Sequence, residues 1–260
     1  MIHVFLLTGR VHLWEECIDA IERLVIQSLI KPGDECWVFV SAHGDPTYAD
    51  GDPSNIRGLI ARTNPVGTHL EKYVLDPPEP HPMYVPKSDS INSCLRYGSM
   101  WFHNWKAFDM LEKVMQERNV SKDEIGWVVK LRCDFNPTTS WVFIETPEQK
   151  MIYVPNSSWH YIRPPRSWMP DQVAAGNFDA MKGYCSVYTN RVNFYKDHGI
   201  KLDTPEIFLK SHMDIHGIRW CKTKERCEYS ISDARFAVDE YAGSKNAEAA
   251  RFGKTPCPQL

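Results

Sequence analysis

No apolar stretch in the chain is long enough to cross a bilayer, and no Cys-x-x-Cys pair occurs. The eight cysteines, Cys17, Cys36, Cys94, Cys133, Cys185, Cys221, Cys227 and Cys257, are scattered, several of them inside apolar runs, as buried free thiols are. A reducing compartment follows. The glycine signatures of the common nucleotide enzymes and hydrolases are missing too. There is no P-loop, no Gly-x-Gly-x-x-Gly after the first predicted strand and no Gly-x-Ser-x-Gly elbow, so kinase, dehydrogenase and hydrolase readings lack their usual support. Basic residues are not in excess. Lys and Arg number 30 against 33 Asp and Glu, a net charge of -3, which gives no general attraction to nucleic acid and makes any phosphate site a local one. The apolar opening Met1–Thr8 is cut off by Gly9-Arg10 and then Glu15-Glu16, too early for a signal peptide's apolar region. The expectation is a soluble, cytoplasmic protein, at most peripheral to a membrane, with no transmembrane segment and no nucleic-acid partner. Internal repeats and low-complexity tracts are also lacking.

What is present suits one α/β domain of ordinary composition, 43% hydrophobic and 24% charged over 260 residues. Eighteen prolines and nine tryptophans point to long ordered loops and an aromatic-lined surface. Ile2–Thr8 and Glu35–Ser41 read as buried strands around a helix from Trp14 to Ser28, a βαβ opening that implies parallel pairing. His43–Asn55 is dense in turn residues and rims the end of the second strand. Thr68–Leu75 reads as a third strand, Pro77–Pro86 as an extended loop, and Ile91–Asn119 as a long helix. Met151–Pro155 is a short strand. Asp171–Tyr184 reads as a helix or helical turn after the proline-rich bend Arg163–Pro170. Thr204-Pro205 starts a helix that stops at Gly217, and Ile218–Cys221 and Tyr229–Ile231 are closing strands. The domain spans 1–232, and 233–260 is a C-terminal tail without a clear core face.

The stretch Trp127–Asp134 organises the rest. Its apolar start suits a strand buried within a sheet, and Arg132 and Asp134 fall at its carboxyl end, before Pro137. That end is where open α/β sheets bind ligands. Asp134 is able to hold Mg²⁺ or Mn²⁺ with substrate phosphates completing the shell, with Arg132 on a phosphate or on Asp134. The other reading is a structural Arg–Asp pair capping the strand. Asp171, at a loop-to-helix junction, suits a general base or an N-cap. His212 and His216 lie four apart on a predicted helix, as solvated histidines or as one late metal ligand. Arg96, with Ser99 and Met100, stands near the head of the long helix, beside a phosphate or on an ordinary helix face. Lys130, inside the central strand, needs a partner or a ligand phosphate.

Taken in order, these pieces resemble a family of bacterial and large-virus glycosyltransferases of the A-type fold. The matching residues are the opening strand–Gly9–helix, Ser99-Met100, Trp127–Leu131 ending in Arg132-x-Asp134, Ile152–Pro155, Asp171-Gln172 with Gly176 and Met181-x-x-Tyr184, and Pro205-Glu206 with Leu209 and His212. The resemblance covers residues 1–232. It implies a single-domain nucleotide-diphospho-sugar transferase fold, with a mostly parallel central sheet flanked by helices. The implied activity is hexosyl or pentosyl transfer from a nucleotide-diphosphate sugar to the hydroxyl of a glycan or glycoconjugate, assisted by Mn²⁺ or Mg²⁺. On this reading Asp134 and His212 hold the metal. Thr8, Gly9, Arg10, Arg96, Lys130 and Arg132 meet the donor near the Ser41–Asp45 loop, Arg132 also steadies the leaving diphosphate, and Asp171 takes the acceptor's proton in an inverting enzyme. The acceptor is expected over the loops Asp76–Ser90 and Trp159–Met169. A-type enzymes commonly carry Asp-x-Asp, and Arg132 stands at the first of those positions. Two alternatives are a sugar nucleotidyltransferase, for which only Gly9-Arg10 stands in for a glycine-rich basic loop, and a non-catalytic carbohydrate- or nucleotide-sugar-binding protein on the same fold.

Overall fold

The computed structural model describes residues 1–11, 14–43, 53–71, 73–74, 76, 82–83, 90–156, 172–200, 205–226 and 229–231, without the side chains of 53, 90–96, 156, 205–206 and 224–231. The expectations for the Pro77–Pro86 loop apart from residues 82–83, for 44–52, for Trp159–Met169, for Asp171 and for the tail lie outside these residues.

The opening is the expected βαβ unit. Strand β1 (Ile2–Gly9) is followed by helix α1 (Trp14–Ile21), a π-helical turn at Glu22–Ile26, the short α2 (Gln27–Leu29) and strand β2 (Glu35–Ala42). Trp14, Cys17, Ile18 and Ile21 form the buried stripe of α1, the spacing that brings side chains onto one helix face. Helix α3 (Pro53–Thr63) then leads to β3 (Gly67–His69). The third strand is shorter than the Thr68–Leu75 expectation. Beyond His69 the chain leaves the sheet, with Leu70 and Val74 exposed and Tyr73 buried against Phe102 and Tyr188.

Helix α4 (Ser90–Arg118) crosses the sheet and delivers β4 (Ile125–Arg132), through a 3-10 turn closed by a Ser121–Glu124 capping box. After a turn at Cys133-Asp134 come β5 (Phe135–Pro137), β6 (Met151–Asn156), β7 (Ala174–Gly176), α5 (Phe178–Cys185), α6 (Val187–His198), α7 (Pro205–Ile215), β8 (Arg219–Arg226) and β9 (Tyr229–Ile231). Part of the predicted Asp171–Tyr184 helix is therefore a strand. Ala174, Ala175 and Gly176 are small enough to lie buried between β4 and β6. The helix begins only after Asn177, whose side chain accepts from the Ala180 N–H and so fixes the start.

The main sheet has seven strands in the order β3-β2-β1-β4-β7-β6-β8. All run parallel except β7, which is antiparallel to both its neighbours. A second sheet pairs β5 with β9 antiparallel. Helices cover both faces. On one, Val4, Leu6, Phe39 and Val128 pack with Trp101, Phe108 and Leu111 of α4 and with residues of α5, α6 and α7. On the other, Phe5, Leu7, Val40, Val129 and Leu131 pack with α1 and α3. Each fully enclosed Leu, Ile, Val or Phe contributes about 1.5–3 kcal/mol of hydrophobic stabilisation. Strands covered on both faces must be apolar throughout, which is why Val-Phe-Leu-Leu and Trp-Val-Val read so clearly in the sequence. No helix among the described residues is long and apolar enough to cross a membrane.

Candidate functional site at the carboxyl edge of the sheet

Strand order runs outward from β1 through β2 to β3 and then resumes on the other side with β4. The reversal makes β1 and β4 the switch point of the sheet, and the crevice beyond their carboxyl ends is where such a fold binds ligands. Thr8, Gly9 and Arg10 close β1, and Arg132, Cys133 and Asp134 close β4.

Register aligns these ends into rows. Val4 pairs with Trp37 and Val128, and Leu6 with Phe39 and Lys130. Thr8 pairs with Ser41 and Arg132, and Ser41 in turn with His69. Residues two apart on a strand share a face, so these are successive rows on the α4 side of the sheet. The last row is polar from end to end: His69, Ser41, Thr8, Arg132. The opposite face stays apolar to its edge, with Leu7, Val40 and Leu131 in register and buried.

Helix α4 roofs that row. Its buried stripe steps from Trp101 to Asn104, Phe108, Leu111 and Met115, and Asn104 falls where the periodicity would place an apolar residue. The Thr8 hydroxyl donates to Asn104 Oδ1 at 2.9 Å. Ser41 Oγ lies 3.0 Å from His103 Nδ1 and 3.4 Å from His69 Nδ1. One hydroxyl hydrogen serves only one ring, so the two imidazoles take opposite roles toward Ser41. Burial, helped by His43 and His69, pushes the His103 pKa down to about 3. Burial also lowers that of His69, against the pull of Glu71, whose carboxylate lies 3.2 Å from His69 Nε2. Burial thus favours the neutral form of both rings.

At the β4 end the row becomes charged. Arg132 Nε donates to Asp134 Oδ1 at 2.7 Å and Nη2 to Oδ2 at 2.5 Å, a two-point pair. The Asp134 side chain is 0% exposed and that of Arg132 26%, so the guanidinium is the member that faces outward. The turn between them is fixed by the Cys133 N–H, which donates to the Thr8 carbonyl at 3.2 Å. Lys130, one row inward, is fully buried, and its Nζ donates to the Gln172 carbonyl at 3.0 Å. One partner of the buried ammonium is thus the Gln172 backbone, which it ties to the motif strand. Gly9 holds φ at +94°, where L side chains are strained, and among the described residues nothing lies within 4 Å of the position a Cβ would take.

No protein-family model matches the chain, and no curated protein matches its sequence. The site is therefore read from its own geometry.

Thr8, Gly9 and Arg10 lie at the carboxyl end of β1 and Arg132 and Asp134 at that of β4, with Lys130 one row inward, and they have different parts to play. Thr8 is 1% exposed and its hydroxyl is engaged by Asn104, so it fastens α4 to the sheet edge, whereas Gly9, Arg10 and Arg132 are half-buried. Lys130 points inward rather than to a ligand. Arg96 lies on α4 with its side chain outside the described residues, as is Asp171 as a whole. His212 is elsewhere and is not a solvated helix histidine. It is 0% exposed on α7, its Nε2 3.3 Å from the Gly183 carbonyl and 3.4 Å from Ser186 Oγ, with its ring against Phe194 and His216. Burial first, then His216, lowers its pKa to about 4.

A divalent ion needs an oxygen lone pair turned toward it. Both Asp134 oxygens are engaged by Arg132 behind a closed surface, and the His212 Nε2 has its own partners. Among the described residues no group of three or more His, Cys, Asp and Glu is arranged to hold a metal ion. These residues, held as they are, do not fit a resident cation. Sequence reading also passed over His69, His103 and Asn104. The available signal was the break at His103-Asn104 in the otherwise apolar stripe of α4.

Proposed function

We propose that the chain is a glycosyltransferase that moves a sugar from a nucleotide-diphosphate donor to an acceptor hydroxyl in glycan or polysaccharide synthesis. The observation that carries this reading is the polar row His69-Ser41-Thr8-Arg132, which meets the switch point on one face of the sheet only. The mostly parallel sheet, with a lone antiparallel strand beside the motif strand, supports the A-type fold that the motifs resemble.

A donor presents a diphosphate to be neutralised and hydroxyls to be oriented. Arg132 offers a planar, permanently charged fork suited to phosphate oxygens, and Gly9 lets a ligand approach the backbone without a side chain in the way. Transfer breaks the bond between the sugar and the diphosphate, so negative charge grows on the departing phosphate oxygen. A fixed cation aimed at that oxygen stabilises the transition state more than the ground state. Asp171 is the candidate base for the acceptor hydroxyl in an inverting reaction, and the Lys130–Gln172 bond fastens the backbone next to it to β4.

A second reading is favoured by one observation, the closed Arg132–Asp134 pair, which leaves one carboxylate fewer for chemistry than Asp-x-Asp would. On that reading the fold binds a nucleotide sugar without turning it over.

A melting-temperature and hydrolysis screen against UDP-, GDP- and dTDP-sugars separates the two. Ligand binding to the native state raises the melting temperature by mass action. Stabilisation by one nucleotide class with slow donor hydrolysis supports the transferase. Stabilisation without hydrolysis or transfer to any sugar acceptor supports the binding protein, and no stabilisation by any donor removes both.

A further inference from the structure

We infer that Ser41, His69 and His103 form a proton-driven polarity switch at the β3 end of the polar row, set from the surface by Glu71: His103 Nε2 is a hydrogen-bond acceptor near neutral pH and a donor in acid. The inference goes beyond the transferase reading and does not depend on it.

The roles follow from counting hydrogens. Ser41 is fully buried, and the two imidazoles are its only hydrogen-bond partners among the described residues, at 3.0 Å for His103 Nδ1 and 3.4 Å for His69 Nδ1. Its one hydrogen goes to one ring, so the other ring donates to it. Glu71 decides which. Its side chain is 72% exposed and its carboxylate stands 3.2 Å from His69 Nε2, off the direction of a hydrogen bond but close enough for its charge to hold the ring hydrogen on that nitrogen. His69 Nδ1 is then bare and takes the Ser41 hydrogen. His103 Nδ1–H therefore donates to Ser41, and His103 Nε2, enclosed and without a hydrogen-bond partner among the described residues, carries a lone pair.

Protonation reverses every role. A His69 cation carries hydrogen on both nitrogens, so its Nδ1 donates to Ser41 and the Ser41 hydrogen turns to His103 Nδ1. That nitrogen has to be bare, which puts the His103 hydrogen on Nε2. One proton is taken up in all: the His103 Nδ1 hydrogen passes to Ser41, the Ser41 hydrogen passes to His69 Nδ1, and the incoming proton settles on His103 Nε2. His69 is the ring that charges first. Its side chain is 12% exposed beside an anion, whereas His103 is 1% exposed and lies next to two other imidazoles, His43 and His69. The charged groups facing His69 are Glu71 from its own segment and Lys106 and Asp109 from α4, which act on it with opposite signs. Those facing His103 are His43 and His69, and both resist its protonation. Burial outweighs Glu71 and keeps the His69 pKa below its ordinary value, so the reversal falls on the acid side of pH 6.5. The carboxyl edge of β2 and β3 thus meets α4 with one polarity near neutral pH and the opposite polarity in acid.

The test uses the full chain labelled with ¹³C and ¹⁵N, so that each imidazole is assigned through its own backbone. Correlations between ring hydrogens and ring nitrogens then tell which nitrogen of each ring is protonated. The expected result at about pH 8, above the ordinary histidine range, is hydrogen on Nε2 of His69 and on Nδ1 of His103. As pH falls, the gain of a second hydrogen by His69 and the move of the His103 hydrogen to Nε2 should follow one curve. Glu71→Gln, at an exposed position, should carry both changes to lower pH by about half a unit, the scale of one exposed charge pair. Ser41→Ala should uncouple the rings, leaving His103 unmoved while His69 titrates. Hydrogen on His103 Nε2 at the alkaline end, or a His103 ring that does not change while His69 charges in wild type, overturns the inference. So does a His69 that takes no second hydrogen before the chain unfolds, a Glu71→Gln titration identical to wild type, or rings that stay coupled in Ser41→Ala. Should Ser41→Ala not fold, wild type and Glu71→Gln decide the matter alone.

Discussion

Among the described residues, two places set a serine hydroxyl beside a buried histidine. Ser41 meets His103 and His69 under α4, and Ser186 meets His212 among α5, α6 and α7. Both leading imidazoles are enclosed and kept neutral by burial. Titration behaviour does not tell them apart. Position does: Ser41 belongs to the row that ends in Arg132 at the switch point, whereas Ser186 lies in a helix interface lined by Phe194, Phe208 and Met213. A buried histidine with a depressed pKa is thus a packing feature until topology puts it at a ligand edge.

The sharpest way to break this comparison is at the charged end of the row. Arg132→Ala leaves the enclosed Asp134 carboxylate without its partner and should cost about 3 kcal/mol of unfolding free energy, in the range for stripping one member from a buried pair. The double change Arg132→Ala with Asp134→Asn should recover at least half of that, read by urea denaturation. If the single variant is as stable as wild type, the pair is not what holds this turn.

Truncating each leading histidine separates site from scaffold. His212→Ala and His103→Ala should each lose about 2 kcal/mol, the cost of a core cavity and a lost hydrogen bond. Only His103→Ala should also blunt stabilisation by a nucleoside diphosphate, since His103 orders the roof over Ser41 and Thr8. Equal loss of ligand response in both variants would erase the distinction.

Acid should affect both places alike. A folded-state pKa below the unfolded value of about 6.5 means that the unfolded chain binds more protons between the two. Each histidine's contribution is therefore fully present above pH 6.5 and is lost as pH falls toward about 3 for His103 and about 4 for His212. The slope is at most about 1.4 kcal/mol per pH unit for each group. Melting temperatures between pH 7 and 5 should fall less steeply in His212→Gln and in His103→Gln than in wild type, by similar amounts. A slope that neither substitution changes would place the acid sensitivity elsewhere.

Much of this edge was legible from the sequence because buried parallel strands announce both their interior and their end. Leu-Leu before Thr8, Val-Val before Lys130 and Arg132, and Val before Ser41 each mark where an apolar strand turns polar. His69 was obscured by a strand of three residues too short to show a period. His103 and Asn104 lay inside a helix whose other residues had an ordinary core pattern. Strand β7 was hidden by its composition: Ala-Ala-Gly has low β-propensity and becomes a strand only because β4 and β6 stand on either side of it. Helix α6 interrupts its buried stripe of Val187 and Phe194 with Arg191, whose guanidinium lies over the Tyr188 ring and reaches the Asp76 carbonyl and carboxylate. Such elements are decided by tertiary neighbours and leave little trace in local sequence.

The small β5–β9 sheet bears on where the chain can be cut. Phe135, Asn136 and Pro137 follow directly on Asp134, and their ladder partners are Ile231, Ser230 and Tyr229. The loop that carries the charged pair is therefore stitched to residues almost a hundred positions later. A protease nick or a shortened gene product that ends between Arg226 and Tyr229 would keep every strand of the seven-stranded sheet and still unpin the turn on which Asp134 sits, whereas one that ends after Ile231 would keep it.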